Sequence, residues 1–187
     1  MMQSIAIGAP TTGRHLDFLV SLVKEGHAPV VEFGTFTGGT TRRLAEAGAT
    51  VHTVDIGHGV NEKCFAKTEE GLVEIFGLYG SYIAGENFAG LGLPIIQYLG
   101  DSREVDLSHL YGTIGLVFID GGHSYEVVKH DSDEAFKLIR PDGAIVWDDY
   151  NACWPGVVRV VEEINASRDI LFHKKLCMAI YGWLPRS

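Results

Sequence analysis

The sequence predicts an α/β protein built on a mostly parallel sheet, and three observations carry that expectation. Short apolar runs alternate with helical stretches along the chain. The runs end at or near acids: Glu32, Asp55, Asp120 and Asp148. A glycine turn, Gly34 to Gly39, leads straight from the first run into a helix, the form of a ligand-binding strand–turn–helix unit.

In order, residues 1–13 read as a lead-in closed by Pro10 and Gly13. Leu16, Leu19, Val20 and Val23 recur at helical spacing, so the pattern predicts an amphipathic helix over 14–25, stopped by Gly26. Pro29–Phe33 is the first strand, Thr40–Ala47 the helix behind it, and Thr50–Asp55 the second strand. The segment 57–93 is longer than a crossover needs and rich in glycine, with a helix expected at Glu69–Tyr79. Two readings stand for it: a cap that encloses substrate with its aromatics Phe65, Phe76, Tyr79, Tyr82 and Phe88, or a plain helix between loops.

Pro94–Leu99 is the third strand, and 103–110 a short helix or turn. Ile114–Asp120 is the fourth strand, almost wholly apolar, as a strand covered on both faces should be. A helix over Tyr125–Ile139, a turn at Arg140–Gly143 and a fifth strand at Ala144–Asp148 follow. Pro155–Ser167 reads as a helix with proline near its start. Ile170–Cys177 and Met178–Leu184 are linked too tightly for a crossover helix, so an antiparallel pair closes the chain.

The chain has 187 residues, enough for one domain, and a net charge of −9. That charge argues against nucleic acid or an anionic membrane as partner. Cys64, Cys153 and Cys177 lack metal-site spacing and read as reduced thiols. Neither a signal peptide nor a membrane span is evident, so a cytoplasmic protein is expected.

The glycine turn rejects two phosphate readings. A dinucleotide fingerprint needs a bare second glycine, and Phe36 stands there. A P-loop needs lysine where Thr40 stands. What remains is an acid two residues before Gly34, which would repel phosphate and suit a cationic amine.

Ligands of parallel sheets bind beyond the carboxyl ends of the strands. Asp55, about twenty residues after the glycine turn, suits two ribose hydroxyls, and Asp101-Ser102 could read an adenine. Asp120, Asp148 and Asp149 gathered on one rim would repel one another unless a divalent cation such as Mg²⁺ intervened; the plainer reading of Asp148-Asp149 is a turn pair. His123, behind Gly121-Gly122, is favoured as general base over a fourth ligand or a helix-start residue. His130, Asp131 and Asp133 read as a solvated helix face; His58 and His109 have no partner at recognisable spacing. Trp147 reads as core, whereas Trp154 would line the substrate opening.

The run Val31-Glu32-Phe33-Gly34-Thr35-Phe36-Thr37-Gly38-Gly39-Thr40-Thr41 resembles the first motif of class I S-adenosylmethionine-dependent methyltransferases. Phe118–Tyr125, Leu138–Gly143 and Trp147–Tyr150 resemble a branch of small O-methyltransferases related to the macrolide-sugar and catechol types. The resemblance implies a Rossmann-like seven-stranded sheet, order 3-2-1-4-5-7-6, with strand 7 antiparallel and helices on both faces. It implies that Glu32, Gly34 and Thr40 hold the methionine end of S-adenosyl-L-methionine, with Phe36 also in the cofactor site. Asp55 would take the ribose, Asp101 and Ser102 the adenine side, and Asp120 would face both cofactor and metal. Asp120, Asp148 and Asp149 would bind Mg²⁺, with His123 as base. The catechol type has Asn at the position of Asp149 and Lys at that of His123, so both residues here lean towards the sugar type. The implied reaction is methylation of a small-molecule hydroxyl. The alternative is a non-catalytic S-adenosylmethionine-binding protein, a sensor or inactive partner subunit. A homo-oligomer stays open on either reading, and a nicotinamide oxidoreductase is the weakest rival because of Phe36.

Overall fold

Strand β1 (Val30–Phe33) shows how the sheet divides the interior, because all four of its residues are buried. Side chains alternate across a strand. Val31 and Phe33 therefore join one apolar core and Val30 a second on the opposite face. Strand β6 (Ile114–Ile119) splits in the same way, with Val117 and Ile119 on the first face and Leu116 and Phe118 on the second. The computed structural model describes residues 13–57, 61–68, 71–78 and 82–183.

The second core is covered by α1 (Gly13–Lys24), through Leu19, Leu22 and Val23, and by α2 (Gly39–Glu46), through Leu44 and Ala45. The first is covered by α3 (Tyr125–Leu138) and α4 (Pro155–Asn165), through Val128, Ala135, Leu138, Val157, Val160 and Val161. Helices thus lie on both faces. The remaining main-sheet strands are β2 (Val51–Asp55), β5 (Ile95–Leu99), β7 (Ile139–Trp147), β8 (Leu171–His173) and β9 (Met178–Tyr181); β3 (Asn61–Thr68) and β4 (Gly71–Leu78) stand apart as a second sheet. The main sheet runs β5-β2-β1-β6-β7-β9-β8. Five strands are parallel, and β9 runs antiparallel to both β7 and β8. Without the β3–β4 hairpin this is the order 3-2-1-4-5-7-6 that the family resemblance implies. No helix among the described residues is long and apolar enough to cross a membrane.

The structure corrects the sequence reading in three places. The expected helix at Glu69–Tyr79 is instead half of an antiparallel hairpin, in which Asn61 pairs with Leu78 and Thr68 with Gly71. Gly71 and Gly77 are poor helix formers, and Val73, Ile75 and Phe76 favour strand. Arg140–Gly143 lies within β7 as a bulge: the partner register advances from Ile114↔Ile139 to Leu116↔Ala144, so four residues oppose Gly115 alone. Asp131 is not solvated; it is buried within α3, with His130 Nδ1 3.3 Å from its Oδ1. The lead-in 1–12, His58, Tyr79 and Leu184 lie outside the described residues, as do the side chains of Cys64, Phe65 and Phe76. Cys153 and Cys177 are free thiols.

Candidate active site

The parallel strands deliver their carboxyl ends to one rim, where β1 and β6 come into direct contact. Asp120 N–H donates to Phe33 O at 2.9 Å. A Cβ on Gly34 would stand 2.2 Å from Asp120 O, and Gly34 has φ +99°. Only glycine allows this approach and this conformation together.

Glu32 faces the same side of the sheet as Val30, towards α2. Its Oε2 accepts from Thr53 Oγ1 at 2.8 Å and from Thr41 Oγ1, and Thr35 Oγ1 stands 2.6 Å from Thr53 Oγ1. The carboxyl is buried, and burial pushes its pKa up to about 7, against the two hydroxyl donors that favour the charge. Because the folded value lies above the unfolded value near 4.5, the folded state binds this proton more tightly. The stabilisation is complete below pH 4.5 and is lost as pH rises to about 7. Glu32→Gln should therefore stabilise the ligand-free protein at pH 8 by up to about 3 kcal/mol and give no gain at pH 4. Denaturant melts at the two pH values check this, and equal shifts at both would refute it.

Asp55 closes β2 with its carboxylate turned to the glycine loop and the segment that follows the strand. Oδ2 accepts from Phe36 N–H at 2.8 Å; Oδ1 accepts from Gly57 N–H at 2.7 Å and from Tyr82 Oη at 2.8 Å. The Tyr82 ring lies 4.7 Å from that of Phe36. Gly85 N–H and Asn87 N–H donate to Phe36 O and Thr37 O, each at 2.9 Å. The later part of segment 57–93 thus folds over the glycine turn. Thr40 sits half-buried in the first turn of α2.

Asp101 and Ser102 follow β5. Asp101 accepts from the Arg103 guanidinium and backbone N–H, and these hydrogen bonds hold its pKa down to about 2. Ser102 is hydrogen-bonded to the buried Asp131.

The acids at the centre of the rim crowd together. Donor atoms of Asp120, His123 and Asp149 all lie within 4.8 Å of one another. Burial, then Asp148 and Asp149, raises the Asp120 pKa well above the ordinary carboxylate range. Two carboxylates and an imidazole at this spacing suit a hard divalent cation, which would relieve that repulsion.

His123 is set by its surroundings. Ser124 caps α3, its Oγ accepting from Val127 N–H, so His123 is the last residue before the helix cap. Its Nε2 stands 3.0 Å from Asp149 Oδ2. Its ring stacks on Trp154 at 3.9 Å and 19°. Trp154 is buried beneath it at the start of α4. Gly156 makes this packing possible, since a Cβ there would stand 2.3 Å from His123 O. Trp147 is core, with its Nε1 donating to Ser132 Oγ at 2.9 Å.

Asp148 and Asp149 diverge although adjacent. Asp149 takes φ 55° and turns its carboxylate towards His123. Asp148 Oδ1 accepts from Asp149 N–H at 2.9 Å and lies 3.5 Å from His15 Nδ1 on α1. Asp148 raises the His15 pKa above its ordinary value despite burial. Sequence reading passed over His15, because α1 showed only its apolar stripe and nothing local links it to β7.

Known proteins agree with this architecture. The family described as "Methyltransferase domain" matches residues 31–150. Uncharacterized protein R132 of Acanthamoeba polyphaga mimivirus is 26% identical over 165 residues, covering 82% of this chain and 68% of that protein. Among solved structures, the O-methyltransferase NovP shares the fold with a TM-score of 0.63 and 18% identity, over 90% of this chain and 77% of its own. An O-methyltransferase from Bacillus cereus, solved in complex with SAH, shares it with a TM-score of 0.61 and 19% identity, over 94% and 83%. By its sequence family and its strand order, this chain belongs to the methyltransferase-domain family and carries the fold of the class I S-adenosylmethionine-dependent methyltransferases.

Proposed function

We propose that the protein methylates a hydroxyl of a small molecule with assistance from a divalent cation, Mg²⁺ or a close equivalent. The observation that carries this reading is the convergence of Asp120, His123 and Asp149 beside the glycine turn. Asp120 and Asp149, with Asp148 next to them, would hold the cation. S-adenosylmethionine supplies an electrophilic methyl, and the cation supplies Lewis acidity towards the acceptor hydroxyl.

The chain's own residues do the rest. Glu32 and Asp55 flank the glycine turn and offer the cofactor's amino group and ribose their acceptors. The Tyr82 ring packs against that of Phe36 on that side. His123, with the Asp149 carboxylate 3.0 Å from its Nε2, takes the acceptor's proton. The resulting imidazolium is held by the Asp149 carboxylate and the Trp154 ring face.

The test is an assay with methyl-labelled S-adenosylmethionine, Mg²⁺ and a panel of sugar and catechol hydroxyl acceptors. Label should enter an acceptor, stop with chelator and return with added Mg²⁺. Transfer that persists undiminished in chelator would remove the cation from the reading. Cofactor binding by calorimetry without transfer to any acceptor would favour a non-catalytic binding protein.

A further inference from the structure

We propose that His15 is a positioning residue of the cation site, acting through Asp148 from the first turn of α1. This rests on the divalent-cation reading above. Helix α1 packs on the sheet through Leu19, Leu22 and Val23, all buried, which fixes where its first turn meets the rim. His15 Nδ1 is buried without a hydrogen bond and lies 3.5 Å from Asp148 Oδ1. A buried ring nitrogen without a partner is costly unless a small shift completes its bond. Asp148 Oδ1 is the acceptor within reach, and it already takes the N–H of Asp149.

Asp148 Oδ1 is therefore held by a hydrogen bond from its own loop and approached by the His15 ring from α1, which a small shift would turn into a second hydrogen bond. Asp148 shares a small cavity with Asp120 and His123, otherwise walled largely by apolar side chains. With Oδ1 engaged, Oδ2 would be the oxygen that Asp148 offers to a cation held beside Asp120. Carboxylates that ligate metals are commonly oriented by such outer hydrogen bonds, and removing one typically weakens metal binding about 10–100-fold. The α1 helix thereby becomes part of the site although it supplies no ligand.

The experiment titrates Mn²⁺ into the full chain saturated with S-adenosylhomocysteine and follows free Mn²⁺ by electron paramagnetic resonance. Wild type, His15→Ala, His15→Asn, Asp148→Ala and the double variant His15→Ala/Asp148→Ala are compared. His15→Ala should weaken Mn²⁺ binding about 10–100-fold with S-adenosylhomocysteine affinity unchanged. His15→Asn, which keeps a short donor near the position of Nδ1, should recover much of the loss. In the Asp148→Ala background the His15→Ala change should add nothing, because its partner is gone. Wild-type affinity in His15→Ala, or additive losses in the double variant, would overturn the proposal and leave the cation reading standing. Failure of the wild type to bind Mn²⁺ would overturn both.

Discussion

Asp120→Asn should lower turnover by about 10³-fold or more, a loss of ~4 kcal/mol in transition-state stabilisation, while the cation-free protein becomes no less stable than wild type. The two effects share one cause. Asp120 sits in a half-buried cluster, where desolvation and then its neighbours Asp148 and Asp149 push its pKa well above the usual range. Without a cation, each additional negative charge there is a cost to folding. Asparagine keeps the shape and removes the charge, so the ligand-free melting temperature should hold or rise. With a cation, that charge becomes a ligand, and its loss removes both binding and Lewis acidity. Thermal melts with and without Mg²⁺ separate the two states. Wild type should gain stability with Mg²⁺ by mass action, and Asp120→Asn should gain little. A variant with activity within tenfold of wild type and an unchanged response to Mg²⁺ would show that Asp120 does not act in this way.

That opposition between stability and charge explains part of what the sequence reveals. Acids at strand ends are visible in a linear text because each follows its own apolar run, as Asp55 follows Val51–Val54 and Asp148 follows Ala144–Trp147. Strand–helix alternation shows only that the sheet is mostly parallel; its order follows from the resemblance of the glycine turn and the Asp120 motif to class I methyltransferases. What stays hidden is the partner each acid chooses. Asp55 meets Tyr82 across 27 residues of chain, and His123 meets Asp149 across 26. Asp101 is taken by its neighbour Arg103, an outcome decided by loop geometry rather than by spacing. The adjacent pair Asp148-Asp149 looks like one unit in sequence, yet φ 55° at Asp149 sends the two carboxylates to different partners. The hairpin at 61–78 was missed for a local reason. Its residues carry competing signals, with glycines against a helix and polar residues enough for one, and propensity alone decides weakly between them.

His123→Ala should reduce turnover about 10²–10⁴-fold, the usual share of a general base, with affinities for Mn²⁺ and S-adenosylhomocysteine within a few-fold of wild type. This result would separate two roles that the geometry brings close together, since the donor atoms of His123 lie within 4.8 Å of those of Asp120 and Asp149. A ligand and a base make opposite demands on the ring. A ligand commits a nitrogen lone pair to the cation in the resting state, so its removal appears first in metal affinity. A base keeps a lone pair for the substrate proton, so its removal appears in the rate and leaves the cation in place. The surroundings of His123 suit the base. Nε2 is engaged by Asp149 at 3.0 Å, and the Trp154 ring at 3.9 Å presents a face that favours a cationic imidazole. Both contacts are stronger once the ring has accepted a proton. A fall in Mn²⁺ affinity of tenfold or more in His123→Ala would reverse the assignment and make His123 a ligand, with the acceptor's proton leaving by another route.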